Sequence, residues 1–371
     1  MNRRVTVAAF LLAVSIGASP LACNVFVSID RCKGTEDCPS GHICDLEGRF
    51  CVDQRGETGP VVDASPETSG ETDATYADVA VDAPDAAACN LAAPFESVTL
   101  VPGLELGDVL TARLTSDEKT LLFSAYSGCK LESCIDLWVA SRPNRTSPFV
   151  VQGTLPGVNT EKASEYWPTM TEDRLLLFME SGRSLQKVDG GYVSDRSRIW
   201  STTRNNETAQ FGEPAIQDIF IVPETEYEAS PYLHPNGKSL YFASTTRAGN
   251  KGGLDIFVAQ LGNFGIASSV SNVGGVNTEN NELMPLISRD ERALYFARDV
   301  GFERQIMVST RSAATGPFGA PTPVSELNQG YDWPSWLSDD QCRLYFVSTR
   351  SLAQDGGNFG AYRLWMAERP K

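Results

Sequence analysis

Short runs of strand-forming residues recur along the chain, separated by polar turns. The clearest copy spans residues 230–259, where apolar and aromatic residues lie on both sides of the pair Asn236-Gly237. Both residues of that pair tolerate the positive φ of a tight turn. A further apolar run follows at 255–259, after a glycine-rich loop. The pattern predicts a β-hairpin followed by a third strand.

The same pattern occurs five times between residue 94 and the C-terminus. The hairpin's second strand reads Leu121-Leu122-Phe123, Leu176-Leu177-Phe178, Leu240-Tyr241-Phe242, Leu294-Tyr295-Phe296 and Leu344-Tyr345-Phe346. A third strand follows each copy, and in most copies a fourth begins near Pro-Phe or Phe-Gly. Four short strands at this period are typical of a propeller blade, because blades stacked in a ring bury faces that a single blade leaves exposed.

The last copy stops after its third strand, at residues 363–367. The missing fourth strand is found before the first copy, at 94–101, so the start of the domain is expected to complete its last blade. The prediction is an all-β propeller of five four-stranded blades, with six blades as the alternative. The longest interval between copies is better explained by a loop near 184–197 than by a hidden sixth blade.

The N-terminus has the features of a secretion signal, which we place at residues 1–22. Two arginines precede the apolar stretch 5–16, which is too short to span a membrane. A small residue directly before Cys23 resembles a bacterial lipobox. We therefore predict an exported protein of the cell envelope, periplasmic or on the cell surface, with a lipid anchor on Cys23. Ordinary cleavage nearby, with Cys23 in a disulfide, is the alternative.

Cysteine parity agrees with lipidation, because removing Cys23 from the nine cysteines leaves an even number. The eight that remain are Cys32, Cys38, Cys44, Cys51, Cys89, Cys129, Cys134 and Cys342. The first four belong to a segment, 23–52, that is too small to bury a core, so two disulfides of open connectivity are expected there. Zinc is the alternative, although its ligands usually come as closer pairs.

Residues 53–88 form an acidic linker that we expect to be disordered, because it holds too little apolar surface to offset the entropy of ordering. The propeller then occupies 89–371. Cys129 and Cys134 bracket a loop of the first blade and are expected to bond to each other. Cys89 and Cys342 both fall in the last blade, on the same face, so a disulfide between them is predicted to lock the ring.

The charge and histidine content limit the possible functions. A net charge of −16 argues against nucleic acid or an anionic membrane surface as a partner, since both require a basic patch. With two histidines in the chain, we predict no histidine-based metal site and no catalytic triad.

An acidic residue lies near the start of the first strand of every copy, and two tryptophans lie beside this series. The residues are Asp108, Glu165, Glu228, Glu282, Asp332, Trp167 and Trp333. First strands line the channel of a propeller, so these side chains are candidates for a binding site at its mouth, for a basic peptide or for calcium. The alternative is that each carboxylate serves its own blade. We predict no resident cofactor and no catalytic residue.

Residues 231–244, 252–259, 334–339 and 344–350 resemble TolB-type β-propeller repeats, and the resemblance covers about three quarters of the chain. It implies an envelope protein that binds other proteins. Our prediction is a binding module for an envelope protein or peptide. The alternatives are a hydrolase that acts on glycans with channel carboxylates and a surface-coat protein without a ligand.

Overall fold

The computed structural model describes two short strands near the N-terminus and most of the chain from residue 89 onward. The described ranges are 42–45, 50–53, 89–104, 107–126, 135–187, 194–221, 223, 226–352 and 361–371. Contacts divide the chain into two units, Met1–Asp82 and Ala83–Lys371. The predicted lipid anchor on Cys23, the linker and the Cys129–Cys134 bond lie outside the described residues.

The first unit contains one described hairpin. Strand β1 (His42–Asp45) pairs antiparallel with β2 (Phe50–Asp53), and the Cα atoms of Cys44 and Cys51 are opposite each other. Cys32 and Cys38 lie outside the described residues.

The second unit is a ring of five antiparallel sheets with four strands each, which confirms the predicted all-β propeller. From the channel outwards, the strands are β4 (Val109–Leu114), β5 (Thr120–Tyr126), β6 (Ile135–Ser141) and β7 (Val150–Thr154) in blade 1; β8 (Glu165–Met170), β9 (Leu176–Arg183), β10 (Ser194–Thr203) and β11 (Ala215–Ile216) in blade 2; β12 (Glu228–Leu233), β13 (Ser239–Ser244), β14 (Asp255–Leu261) and β15 (Ala267–Asn272) in blade 3; β16 (Glu282–Ile287), β17 (Ala293–Val300), β18 (Glu303–Thr310) and β19 (Thr322–Pro323) in blade 4; and β20 (Asp332–Leu337), β21 (Arg343–Ser348), β22 (Arg363–Glu368) and β3 (Glu96–Leu100) in blade 5. Within the described ranges no strand remains for a sixth blade, and no helix is long and apolar enough to cross a membrane.

Blade 5 closes the ring with strands from both ends of the domain. Strand β3 pairs antiparallel with β22, as the missing fourth strand of the last copy predicts. The predicted disulfide between Cys89 and Cys342 is present, with Cα atoms 5.7 Å apart. Arg369 reinforces the junction, because its guanidinium lies 4.0 Å from the centre of the Phe95 ring.

The predicted alignment of the second copy, which places Phe178 at the position of Phe123, is wrong by one residue. The turn before β9 closes with a hydrogen bond from Thr171 N–H to Leu176 O (3.0 Å), so Leu176 precedes the leucine of the repeat. Met179, and not Phe178, therefore takes the position of Phe123. Phe178 lies on the opposite face, in the core shared with blade 3.

A β-bulge interrupts the innermost strand of every blade. In three blades the residue before a proline has a positive φ: Trp167 (51°), Ser230 (54°) and Met284 (54°). A bulge accommodates proline because that residue has no N–H to donate to the ladder. Each of these three prolines lies three residues after a glutamate of the predicted acidic series, so a Glu-x-x-Pro pattern at 165–168, 228–231 and 282–285 marks the start of an inner strand and the bulge within it.

Arginines that follow the third strands pack against the phenylalanines that begin the fourth. The guanidinium carbons of Arg142, Arg204 and Arg311 lie 4.3, 4.5 and 4.4 Å from the centres of the Phe149, Phe211 and Phe318 rings. The Nε of each arginine also donates to a carbonyl in the turn between the first two strands of its blade. These arginines are packing residues.

Candidate functional site at the ends of the channel

The five inner strands run in the same direction around the channel, which gives it two chemically different ends. We call the end where these strands begin the carboxylate end, and it is defined by the predicted acids Asp108, Glu165, Glu228, Glu282 and Asp332. We call the end where they finish the arginine end, and it is defined by Arg113, Glu172, Arg289, Trp336 and Asp339.

Four of the five acids at the carboxylate end are fully buried, each in an ion pair with an arginine of its own blade. The pairs are Glu165–Arg183 (3.1 Å), Glu228–Arg247, Glu282–Arg298 (2.7 Å) and Asp332–Arg350 (3.5 Å). Each arginine comes from the end of the second strand or from the residues just after it. The sequence pattern identified the acids but missed the arginines that neutralise them.

The same carboxylates hold the loop that enters each inner strand. Glu165 accepts a hydrogen bond from Thr160 N–H (3.0 Å), and Glu282 accepts one from Thr278 N–H (2.8 Å). Asp108 has no arginine partner among the described residues, but it accepts the N–H of Tyr362 (2.7 Å). These contacts match the interpretation that each carboxylate stabilises the propeller, and they leave few oxygen lone pairs for a cation or a basic peptide.

Trp167 and Trp333 are also buried, with 8% and 4% of their surfaces exposed. Their ring centroids are 6.3 Å apart in an edge-to-face contact, although blades 2 and 5 are not neighbours in the ring. Met284 belongs to the same apolar cluster. The two tryptophans therefore meet across the channel and fill it next to the carboxylate end.

Asparagines before the inner strands tie neighbouring blades together. In one example, Asn277 accepts the N–H of Ile256 (2.8 Å) and donates to its carbonyl (2.9 Å). Asn159 forms the same pair of bonds with Leu137, and Asn328 with Ile306. The repeated Val-Asn-Thr at 158–160 and 276–278 is the sequence signal that was missed.

The arginine end holds an open pocket of about 260 Å³. All five blades contribute to its wall. The wall includes at least one residue from each of blades 1 to 5, in order Arg113, Thr169, Tyr232, Ile287 and Trp336. The volume is near the lower limit of small-molecule sites, which is about 300 Å³. A pocket to which every blade contributes depends on the closed ring and cannot form in a single blade.

Arg113 is a buried charged group in the wall of this pocket, and it has no counter-ion among the described residues. Its side chain is 6% exposed, and its guanidinium lies 4.8 Å from the centre of the Tyr232 ring, across the channel. Nη1 donates to the carbonyls of Ser335 and Ala112, whereas Nε and Nη2 have no hydrogen-bond partner among the described residues. Burial lowers the pKa of Arg113 to about 10, so the side chain remains charged at neutral pH.

The rim above Arg113 is held by a bridge of charges. Arg289 of blade 4 pairs with Glu172 of blade 2 (3.1 Å) and with Asp339 of blade 5 (2.9 Å). The hydrogen bonds that Arg289 donates to Glu172 are the main cause of the raised pKa of Arg289. Among the described residues, no group of three or more histidine, cysteine or acidic side chains is arranged to hold a metal ion.

Comparisons with known proteins identify a shared fold. No protein-family model matches the chain, and no curated protein matches it. A crystal structure of a thermostable family-43 glycoside hydrolase aligns over 73% of this chain and 92% of its own, at 11% identity and a TM-score of 0.50. A family-43 enzyme from Xanthomonas citri aligns over 73% of this chain and 90% of its own, at 14% identity and a TM-score of 0.48.

TolB from Acinetobacter baumannii aligns over 71% of this chain at 15% identity and a TM-score of 0.39. The aligned part spans 56% of that TolB. At such identities, the similarity to solved structures concerns the propeller fold alone.

A comparison of the five repeats would have identified Arg113 from the sequence. The residue just before the last one of each inner strand is Arg113, Thr169, Tyr232, Leu286 and Trp336 in blades 1 to 5. Arg113 is therefore the one charged residue at this position. Residues common to all copies stabilise each blade, so a residue that occurs in one copy alone is a better candidate for function.

Proposed function

We propose that this propeller is a non-catalytic binding module that takes its ligand in the pocket at the arginine end. The observation that carries this proposal is the contrast in burial and pairing between the two ends. The acids of the carboxylate end are occupied by partners within their own blades. The arginine end offers a pocket whose wall holds a charged group, Arg113, that has no counter-ion in the part of the chain that the structure describes.

The acidic groups around the pocket favour binding over glycan hydrolysis. A glycosidase of the usual type needs two carboxyl groups, one of them protonated as a general acid. Glu172 and Asp339 are both held in ion pairs with Arg289. Hydrogen bonds from Thr115 and Lys119 lower the pKa of Asp117 despite its partial burial. Asp117 therefore lacks the raised pKa expected of a general acid, and the other two carboxylates are engaged by an arginine.

We further propose that the mature protein is held in the cell envelope by a lipid on Cys23, with the acidic linker between the anchor and the propeller. The lipobox-like start and the parity of the cysteines support this arrangement. Metabolic labelling with palmitate tests it. Incorporation is expected for the native protein and absent for Cys23→Ala, and label that persists in the variant would overturn the assignment.

A pocket-filling substitution tests the site of binding. Ser116 is exposed in the wall of the pocket, so Ser116→Trp is expected to obstruct it. Ser269→Trp places the same side chain on the outermost strand of blade 3 and is the matched control. The exported protein and both variants would be used as bait in envelope extract. A partner held by the native protein and the control but lost by Ser116→Trp supports the proposal. A partner held equally by all three places binding elsewhere.

A further inference from the structure

The unpaired guanidinium of Arg113 indicates what kind of ligand the pocket takes. Burying an ionised group without a partner is costly, and proteins normally pair such groups. Two other buried arginines of the propeller follow that rule, because Arg183 pairs with Glu165 and Arg142 lies 3.7 Å from Glu118. Arg113 has no ion pair among the described residues, although it lies in the wall of an open pocket.

The orientation of this guanidinium is fixed by its other contacts. Nη1 is held by the two backbone carbonyls, and the ring of Tyr232 lies against the planar face. The two nitrogens that remain, Nε and Nη2, form one edge of the group, and both are buried without a partner among the described residues. Their N–H bonds form the fork that matches the two oxygens of a carboxylate, so a ligand that displaces the atoms now covering this edge can form a bidentate pair.

The rest of the wall limits the charge and polarity of the ligand. Leu114, Leu233, Ile287 and Leu337 give the pocket an apolar component. The wall holds three arginines and three acids, and Arg174 and Arg289 are already paired, so Arg113 is left to match a single negative charge. A doubly charged phosphate suits this wall less well than a single carboxylate on an apolar body.

We propose that Arg113 binds the carboxylate of a ligand whose apolar body fills the pocket at the arginine end. This inference rests on the proposed function, since it specifies the ligand class of the same pocket. The carboxylate belongs either to the C-terminal residue of a peptide or to a small organic acid.

A matched pair of small probes tests the charge requirement. The purified exported protein is titrated with N-acetyl-leucine and, separately, with N-acetyl-leucinamide, which has the same shape without the charge. Fluorescence of Trp336, which lines the pocket, and the NMR signal of the Arg113 Nε–H report binding. Hexanoate and inorganic phosphate serve as further probes, the first for a free organic acid and the second for a phosphate ligand.

Two substitutions separate the guanidinium fork from its charge. Arg113→Lys keeps the charge and loses the fork, whereas Arg113→Met loses both. Each is expected to weaken N-acetyl-leucine binding about tenfold or more, with Arg113→Met the weaker binder. Arg298→Lys alters an arginine at the carboxylate end and is expected to leave the affinity unchanged.

The outcomes distinguish the two proposals. Both proposals are supported if the protein binds N-acetyl-leucine but not N-acetyl-leucinamide and if the Arg113 variants lose this binding. Binding of hexanoate as well would favour an organic acid over the C-terminal residue of a peptide. Equal binding of acid and amide would overturn the carboxylate proposal and leave the binding pocket standing. Tighter binding of phosphate would overturn the choice of carboxylate. Failure of every probe would overturn the carboxylate proposal, while the Ser116→Trp capture experiment decides separately on the pocket.

Discussion

The two ends of the channel contain charged residues in different states. At the carboxylate end, Glu165 and Glu282 are buried against arginines of their own blades. At the arginine end, the buried charge of Arg113 has no counter-ion among the described residues, and the charges that are paired lie on the exposed rim. We therefore infer that a repeated charge maintains the fold, whereas a charge that occurs in one blade alone is a candidate for ligand binding.

The largest effect is expected where a buried pair is broken. Glu165→Ala leaves Arg183 buried without its carboxylate, so the free energy of unfolding should fall by about 3–5 kcal/mol in urea denaturation. Asp108→Ala is the control, because its carboxylate accepts a backbone N–H and has no arginine partner among the described residues. A loss of about 1 kcal/mol is expected there. Equal losses in the two variants would contradict the role assigned to the ion pair.

Glu180, on the second strand of blade 2, shows what happens to a buried carboxylate that has no arginine partner among the described residues. Burial raises its pKa from 4.5 to about 7, and it accepts a hydrogen bond from Ser230 N–H (2.8 Å). The folded state holds this proton more tightly than the unfolded state does. The contribution of Glu180 to stability is therefore present at acid pH and is lost as the pH rises through the window between those two pKa values.

Replacing Glu180 with glutamine is expected to remove this pH dependence. The amide preserves an acceptor for Ser230, so Glu180→Gln should be more stable than the native protein by about 1–3 kcal/mol at alkaline pH and similar to it at acid pH. Thermal unfolding on both sides of neutrality measures the difference. A gain of the same size at both pH values would show that the effect is not electrostatic.

The opposite sign is expected at the arginine end. Arg113→Met removes a buried charge that has no counter-ion, so the free energy of unfolding should stay level or rise by about 1 kcal/mol while binding is lost. Arg113→Lys is the control, because lysine retains the buried charge and its desolvation cost. A decrease as large as that of Glu165→Ala would mean that Arg113 serves the fold.

The smallest effect is expected at the rim. Arg289 is 42% exposed, so Arg289→Ala should change the free energy of unfolding by less than about 1 kcal/mol. The change should decrease further in high salt. Urea denaturation at two salt concentrations measures both quantities. An effect that persists in high salt would assign the bridge a structural role.

Much of the fold follows from local sequence patterns. The blades are predictable because strand, turn and strand lie next to each other in the chain, and the missing fourth strand at 94–101 determines how the ring closes. The disulfide between Cys89 and Cys342 follows from that closure. The error in the second copy has a local origin as well, since the run 175–178 contains three leucines before phenylalanine and allows two registers one residue apart.

The candidate site was less predictable, for two physical reasons. The arginines that pair with the acids lie at different distances along their hairpins, so no fixed spacing identifies them. Arg183 is the last residue of its strand, Arg298 lies two residues before the end of its strand, and Arg247 lies beyond the end of its strand. Arg113 lies beyond a β-bulge, and a bulge breaks the period of two by which a charged strand residue is assigned to a face.

The position of the disulfide determines how the domain responds to tension. Cys89 precedes β3, so force applied to the chain on its N-terminal side reaches the propeller at Cys342 through a covalent bond. The hydrogen bonds between β3 and β22 lie outside that path and do not have to resist peeling. A reduced protein would transmit the same force through the edge strand, where bonds open one after another, and would yield at a lower load. Residues 89 to 342 thus form a covalently closed loop that withstands pulling from outside the domain.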